Sequence, residues 1–466
     1  APSEPPAEVE ITLIPEIEGE ISITSEDAVG VTAVADLATV GIDTLPDNVT
    51  LVSDVFVVEA SETAVVGQIA LNTPADAEAN LLDVYGWDGT AWRFIPSRYD
   101  SATGQRHTVS HELYTAVALG QAASPDPMTV GGIWHEDGAA LTEAIVGPVR
   151  LDGAGELAGT PPAAPDGVTN AYLAVTNVGD EVEAEALAAL LADEAAQTAH
   201  IEAIVAMAEP FAGVNLNYQG VAADQNEAFI TFVQNLAAAL ATEEKMLALT
   251  LLAPQDTAAL DENWSALGDS ANTIYLQLPL DPHAYGAEGT VDQLLTWATD
   301  HFDRRKLVAL LPTDAVMQVD GTWTALTVDE QLAHFGELEL AEDVEQFAPE
   351  TAVAVQLSGD VSPIEWDEAT SAYRYTAGNE EVWLVHPATV AVRLETAVAH
   401  NLQGVAFTTP IQQLDAAQAR NGVLTWSSGN HAQGLALADH GLAGLQRAGA
   451  LGGLDDVDGE PVLHGG

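Results

Sequence analysis

The chain has 466 residues, with 71 Asp and Glu against 12 Lys and Arg, a formal charge of −59 and no cysteine. That charge excludes a nucleic-acid partner, since a phosphate backbone would be repelled over almost the whole surface. The missing thiols exclude disulfides and thiolate metal sites. The length implies two or more domains, and a hydrophobic fraction of 47% with nine Trp excludes a disordered acidic tail.

Residues 1–8 are rich in Pro and Glu and read as a linker or a processed N-terminus. No apolar run approaches the ~20 residues of a membrane helix, so no membrane insertion is expected. The acidic surface fits an extracellular or cell-surface setting, or a salty one. From residue 9 to 124, short β-type runs alternate with turn signals: 11–14, 49–58, 65–71, 81–87 and 114–119. Trp87-Asp88-Gly89-Thr90-Ala91-Trp92 reads as a hairpin, because Asp-Gly tolerates positive φ. Together these runs predict an antiparallel β-sandwich. Ser124-Pro125-Asp126-Pro127 marks the boundary.

After residue 128 the texture changes to alternating strands and helices. Strands are expected over 169–176, 214–218, 247–252, 273–280, 307–311 and 404–407, with 382–385 opening the last unit. Helical periodicity covers 181–208 and 390–400. Another helix would be N-capped by Asp224 with Glu227, and would bury Phe229, Phe232, Val233, Leu236 and Leu240. This alternation predicts an α/β (β/α)8 TIM-type barrel over 128–410. Residues 313–381 are too long for a loop and read as an insertion near the seventh strand. Residues 411–466 form a C-terminal extension.

Several segments match a known family in order: TNAYLAVTN (169–177), LLADEAAQTAHIEAIVAMAEPFAGVNLNYQGV (190–221), KMLALTLLAP (245–254), TIYLQLPLD (273–281), KLVALLP (306–312) and EVWLVHPATVAVRLETAVAHNLQGVAFTTP (381–410). Residues 128–410 thus resemble the family 18 glycoside hydrolases, in the branch of spore-cortex and peptidoglycan-processing enzymes. The resemblance implies a catalytic motif Asp-x-x-Asp-x-Asp-x-Glu on the fourth strand. Its Glu would protonate the glycosidic oxygen, and its last Asp would orient the N-acetyl group that acts as nucleophile. Here the four acidic positions hold Ala212, Asn215, Asn217 and Gln219. Gln219 has no acidic proton to give, and general acid catalysis is typically worth ~10²–10⁴-fold. Where the family shows Met-x-Tyr-Asp, the chain has Leu278-Pro279-Leu280-Asp281. Where it places a Trp floor, Thr408 follows Phe407.

The remaining candidates are weaker. Asp256, Asp281 and Asp314 fall near predicted strand ends, where barrel enzymes keep their sites. Tyr218, Asn217, Gln219 and Thr408 join them as candidate ligand contacts. His107 and His111 share a parity, as a metal pair would. Asp455-Asp456-Val457-Asp458-Gly459-Glu460 hints at calcium but lacks the twelve-residue loop. Gly153 to Gly159 has the wrong spacing for a dinucleotide loop and reads as a turn. Asn48-Val49-Thr50 and Asn263-Trp264-Ser265 are glycan acceptor sequons. Trp87, Trp92 and Tyr99 are either a sugar platform or a packed hairpin. The leading expectation is a catalytically inactive, glycosidase-like extracellular protein with a structural or adhesive role. It would self-associate or bind other cell-surface proteins, and no cofactor is required. The alternatives are a non-hydrolytic glycan-binding protein of the peptidoglycan or chitin type, and an active glycosidase with a relocated acid.

Overall fold

A computed structural model of the protein describes residues 12–13, 20–34, 45–126 without 47 and 61–63, 128–134, and 141–408 without 180, 255–261, 287–288, 320, 337 and 341–354. The N-terminal part consists of two packed sheets. One runs in spatial order Thr12–Leu13, Val29–Val34, Val55–Ala60, Ala116–Ala122, Leu82–Trp87 and Trp92–Ile95, with Val49–Leu51 also on Ala116–Ala122. The other runs His111–Glu112, Val66–Asn72, Gln105–Thr108 and Ser97–Asp100, with Ile21–Ser25 on Val66–Asn72. Period-two alternation makes this a sandwich. Ile21 and Ile23 are buried while Ser22 and Thr24 are exposed. The two isoleucines share a core with Phe56, Val84, Val117 and Leu119 of the other sheet. The Trp87–Trp92 hairpin forms as expected, with Gly89 at φ 97°. The run 49–58 is two strands, not one: the Ser53 hydroxyl accepts the Leu119 N–H, and the chain leaves the ladder there.

The second part is a closed barrel of eight parallel strands: β1 (Thr129–Ile133), β2 (Glu143–Leu151), β3 (Asn170–Thr176), β4 (Gly213–Asn217), β5 (Met246–Leu252), β6 (Thr273–Gln277), β7 (Leu307–Leu311) and β8 (Gly404–Phe407). Neighbours follow chain order, and closure comes from β1 pairing with both β2 and β8. Alternate residues of each strand fill two cores. Val214, Leu249, Ile274 and Phe407 face the helix layer, whereas Tyr172, Ala248, Tyr275, Val308 and Ala406 fill the lumen. Parallel strands buried on both faces read as continuous apolar runs, which is why β3 to β8 are visible in the sequence, whereas β1 and β2 are not among the expected strands.

The helices are α1 (Ala184–Leu191), α2 (Glu194–Met207), α3 (Asn226–Thr242), α4 (Glu262–Ser270), α5 (Val291–His301), α6 (Val328–His334) and α7 (Pro387–Ala399). The periodicity over 181–208 is therefore broken. Asp193 Oδ1 accepts from the N–H groups of Ala195 and Ala196 and starts a new helix. Asp224 does not cap α3. It lies in the 3-10 turn Ala223–Gln225, and α3 begins after Gln225 with no side-chain cap. The buried face of α3 is the expected one, Phe229, Phe232, Val233, Leu236 and Leu240.

Between β7 and α7 sits an antiparallel sheet in the order Thr322–Leu326, Ala315–Val319, Glu380–Leu384, Ala372–Ala377 and Glu365–Asp367. The run at 382–385 belongs to this insertion and does not open the last barrel unit. It pairs antiparallel with Ala315–Val319 and Ala372–Ala377, so its hydrogen bonds are spent there. No helix among the described residues is long and apolar enough to cross a membrane.

Candidate functional site: the barrel mouth around β4

Alternation turns Asn215 and Asn217 of β4 to the lumen, and Val214 and Leu216 to the helix layer. Asn215 is 2% exposed. Its Oδ1 accepts from the Thr250 hydroxyl of β5 at 3.0 Å, and its Nδ2 has no partner. Further toward the mouth, Asn217 Oδ1 accepts from Gln219 Nε2 at 3.0 Å. The backbone here is pinned by the end of β3. Thr176 Oγ1 donates to the Asn217 carbonyl at 2.9 Å. Asn177 Nδ2 donates to the Gln219 carbonyl, and the Gln219 N–H donates to Asn177 Oδ1, both at 2.8 Å. Ala212, before the strand, donates its N–H to the Ala171 carbonyl. This ladder is neutral. It can donate and accept hydrogen bonds, but it holds no proton a leaving group could take.

Tyr218 points to the helix layer, not into the lumen. It stacks on Phe232 at 6.1 Å, and its hydroxyl meets His200 Nε2 of α2 at 2.5 Å. Burial pushes the Tyr218 phenol up and the His200 imidazole down to about 4. Phe407 also faces the helices, so neither ring fills the lumen. Tyr172 and Tyr275 fill it instead, near the strand starts. Tyr275 donates to Glu143 Oε2 at 2.6 Å, and Asn170 Nδ2 donates to Glu143 Oε1 at 3.2 Å. Burial and the nearby Glu143 carboxylate raise both phenols, which keeps them protonated donors. Sequence reasoning missed this cluster. Its signal was a single acid heading an otherwise uncharged strand segment, Glu143 to Val149.

Of the other acids, Asp256 lies outside the described residues, as does the run from Asp455 to Glu460. Asp281 caps the turn Pro282–Tyr285, accepting from the His283 backbone N–H at 2.9 Å and lying 3.0 Å from His283 Nδ1. Asp314 and Thr408 do come together: Thr408 Oγ1 donates to Asp314 Oδ2 at 3.4 Å and accepts from the Thr313 N–H at 3.2 Å. Burial raises the Asp314 carboxyl. This pair ends β7 and β8, across the barrel from Gln219 on the β4 side.

A cleft of 210 Å³ opens beside β4, lined by Gln219, Thr250, Asn226, Phe229 and Trp264 among others, with no charged side chain among its described lining residues. His107 and His111 lie on different short strands, pairing Val66–Asn72 at Ala70 and Gly67. Among the described residues no three His, Asp or Glu side chains converge to hold a metal. Trp87 and Trp92 pack edge to face at 5.8 Å on one sheet while Tyr99 lies on the other, so the three form no common platform. Asp152 Oδ1 holds the turn at Gly153 by accepting from Ala154 and Glu156. Of the sequons, Asn48 and Thr50 are exposed, whereas Ser265 is buried in α4.

This arrangement is that of a (β/α)8 barrel similar to glycoside hydrolases of the chitinase and spore-cortex type. Three solved structures illustrate the likeness. The spore cortex-lytic enzyme SleL of Bacillus megaterium QM B1551 is 14% identical over 64% of this chain and 74% of its own, with a TM-score of 0.46. A chitinase from Chromobacterium violaceum is 17% identical over 67% of this chain and 100% of its own, with a TM-score of 0.47. A putative sporulation-specific glycosylase, ydhD, from Bacillus subtilis is 14% identical over 56% of this chain and 90% of its own, with a TM-score of 0.42. No family model and no curated protein matches the chain.

Proposed function

We propose that the protein is a non-hydrolytic, glycosidase-like barrel with a structural or adhesive role outside the cell or at its surface, as a subunit of an extracellular assembly. One observation carries the non-hydrolytic part. The lumen-facing positions at the mouth of β4 hold Asn215, Asn217 and Gln219, bonded to one another or to Thr250, where hydrolysis by this motif needs carboxylates. The extracellular part rests on the −59 charge, which favours solubility and cation binding over nucleic acid. Incubation with chitin oligomers and peptidoglycan fragments, read by mass spectrometry, is expected to yield no cleavage. Turnover abolished by Asp281→Asn or Asp314→Asn would establish a relocated acid and overturn the reading. Native mass at high concentration, with and without calcium, tests assembly: a strictly monomeric species counts against it.

A second reading, non-hydrolytic glycan binding, is favoured by the uncharged cleft beside β4. Thr250 spends its proton on Asn215 and so presents an acceptor, and Trp264 supplies an apolar wall. Calorimetric titration with N-acetylglucosamine oligomers tests it, and the absence of saturable heat sinks it.

A further inference from the structure

Residues 1–127 carry 21 acids and 3 bases, and 128–466 carry 50 and 9, so the two lobes have formal charges of −18 and −41 and repel each other. Two of the first lobe's three bases nevertheless reach across its contact with the second. Arg106 donates to Asp300 Oδ1 of α5 at 2.7 Å, and Arg98 to Asp300 Oδ2 at 3.3 Å. The third, Arg93, pairs with Asp88 of its own lobe at 2.8 Å. The second lobe answers with Arg304, which grips Asp83 of the sandwich through Nε at 2.7 Å and Nη2 at 2.8 Å. Both side chains of that pair are 0% exposed. Arg304 also donates to the carbonyls of Asn80 and His400, at 3.1 and 2.7 Å, so its donors serve both lobes. Arg305 lies over the Tyr85 ring at 5.3 Å. Asn401 donates to the Ala122 carbonyl at 3.0 Å.

Arg304 precedes β7 and Asn401 precedes β8, so the contact covers the barrel end opposite the mouth. A bidentate pair shut off from water is screened little by salt, whereas repulsion between exposed surfaces is screened strongly. We propose that the sandwich–barrel junction is a salt-insulated clamp that holds two mutually repelling lobes as one cooperative unit, with the sandwich fixed away from the mouth.

Urea unfolding of the full chain tests this, with hydrogen exchange read separately on Val66–Asn72 and on β7. It is run at about 0.1 M KCl, where the screening length is ~10 Å, and at about 1 M, where it is ~3 Å. The wild type is expected to show one shared midpoint at both concentrations. The double variant Arg106→Met/Arg304→Met, which leaves Asp300 and Asp83 without their buried cross-lobe partners, is expected to show two midpoints at low salt that converge at high salt. Separate midpoints in the wild type, or shared midpoints in the double variant at low salt, overturn the proposal. If the double variant does not fold, the wild-type comparison alone decides.

Discussion

The base of the barrel and the β4 side of its mouth treat charge in opposite ways. At the base, Asp83, Asp300 and Arg304 are almost wholly buried, and each meets an oppositely charged partner. Inside the lumen, Glu143 is buried too and is met by the Tyr275 hydroxyl. The fold therefore accepts buried carboxylates wherever donors surround them. The lack of any carboxylate on β4 is thus no general aversion to buried acids. It belongs to that strand, and the neighbouring Thr250, Asn177 and Thr176 fit an amide ladder. The base holds charges that fix one lobe to another, while β4 at the mouth holds amides bonded to one another or to Thr250, with Asn215 Nδ2 left over.

Breaking the base should have the largest effect. Arg304→Met leaves Asp83 buried and unpaired, which costs about 3–5 kcal/mol, and urea unfolding of the variant should show a loss of that size. A loss below ~1 kcal/mol would mean the pair is solvated and the contrast false.

Next comes the helix layer behind the mouth. His200 is buried, which depresses its folded pKa from the ordinary 6.5 to about 4. The unfolded chain then binds more protons between those values. Stability is full above pH ~6.5 and falls toward pH ~4, by on the order of 3 kcal/mol. Comparing wild type with His200→Gln at pH 7 and pH 4.5 isolates this share, since the variant lacks the titrating group. Equal pH losses in the two proteins would remove His200 from the account.

In the lumen, Tyr275→Phe takes the shortest donor from Glu143, and a loss of roughly 1–3 kcal/mol is expected. The matching control is Tyr172→Phe, whose hydroxyl lies 3.5 Å from Glu143 Oε1 and should matter less. A larger loss in the control would reverse the roles assigned to the two phenols.

The barrel was legible because parallel strands buried on both sides read as apolar runs, and β3 to β8 stood out on that basis. Strand parity also placed Asn215, Asn217 and Gln219 on one side of β4. What stayed hidden depends on partners remote in sequence. Asp83 and Arg304 are 221 positions apart, and nothing local in either segment announces the other. Glu143 and Tyr275 are separated by 132. The strand Glu380–Leu384 was misplaced because its apolar run is the same whether it joins the barrel or the insertion sheet; only its hydrogen-bonding neighbours decide. Asp224 looked like a cap by residue type, but the turn Ala223–Gln225 carries the chain into α3 without it.

The mouth can be sharpened by returning one carboxylate. Gln219→Glu ends the donation to Asn217 Oδ1 and sets two acceptors against each other, at a cost of about 1 kcal/mol. It should confer no cleavage of chitin oligomers, since Asn217, Leu280 and Thr408 still lack the groups the motif requires. Cleavage by this single variant would show the mouth to be one residue from activity.

The smallest effect belongs to the exposed edge of the base. Arg93 and Asp88 form an ion pair at 2.8 Å, but their side chains are 59% and 27% exposed. Water and salt already screen that pair, and the median for such pairs is ~0–1 kcal/mol. Arg93→Gln should therefore shift the unfolding free energy by less than about 1 kcal/mol, and by less still at high salt. Arg93 pairs within its own lobe and in water, whereas Arg304 grips Asp83 across the lobes in a buried site. If the two substitutions cost the same, burial is not what gives the base its strength, and the clamp would have to be sought in the apolar contacts around Tyr85 and Trp92.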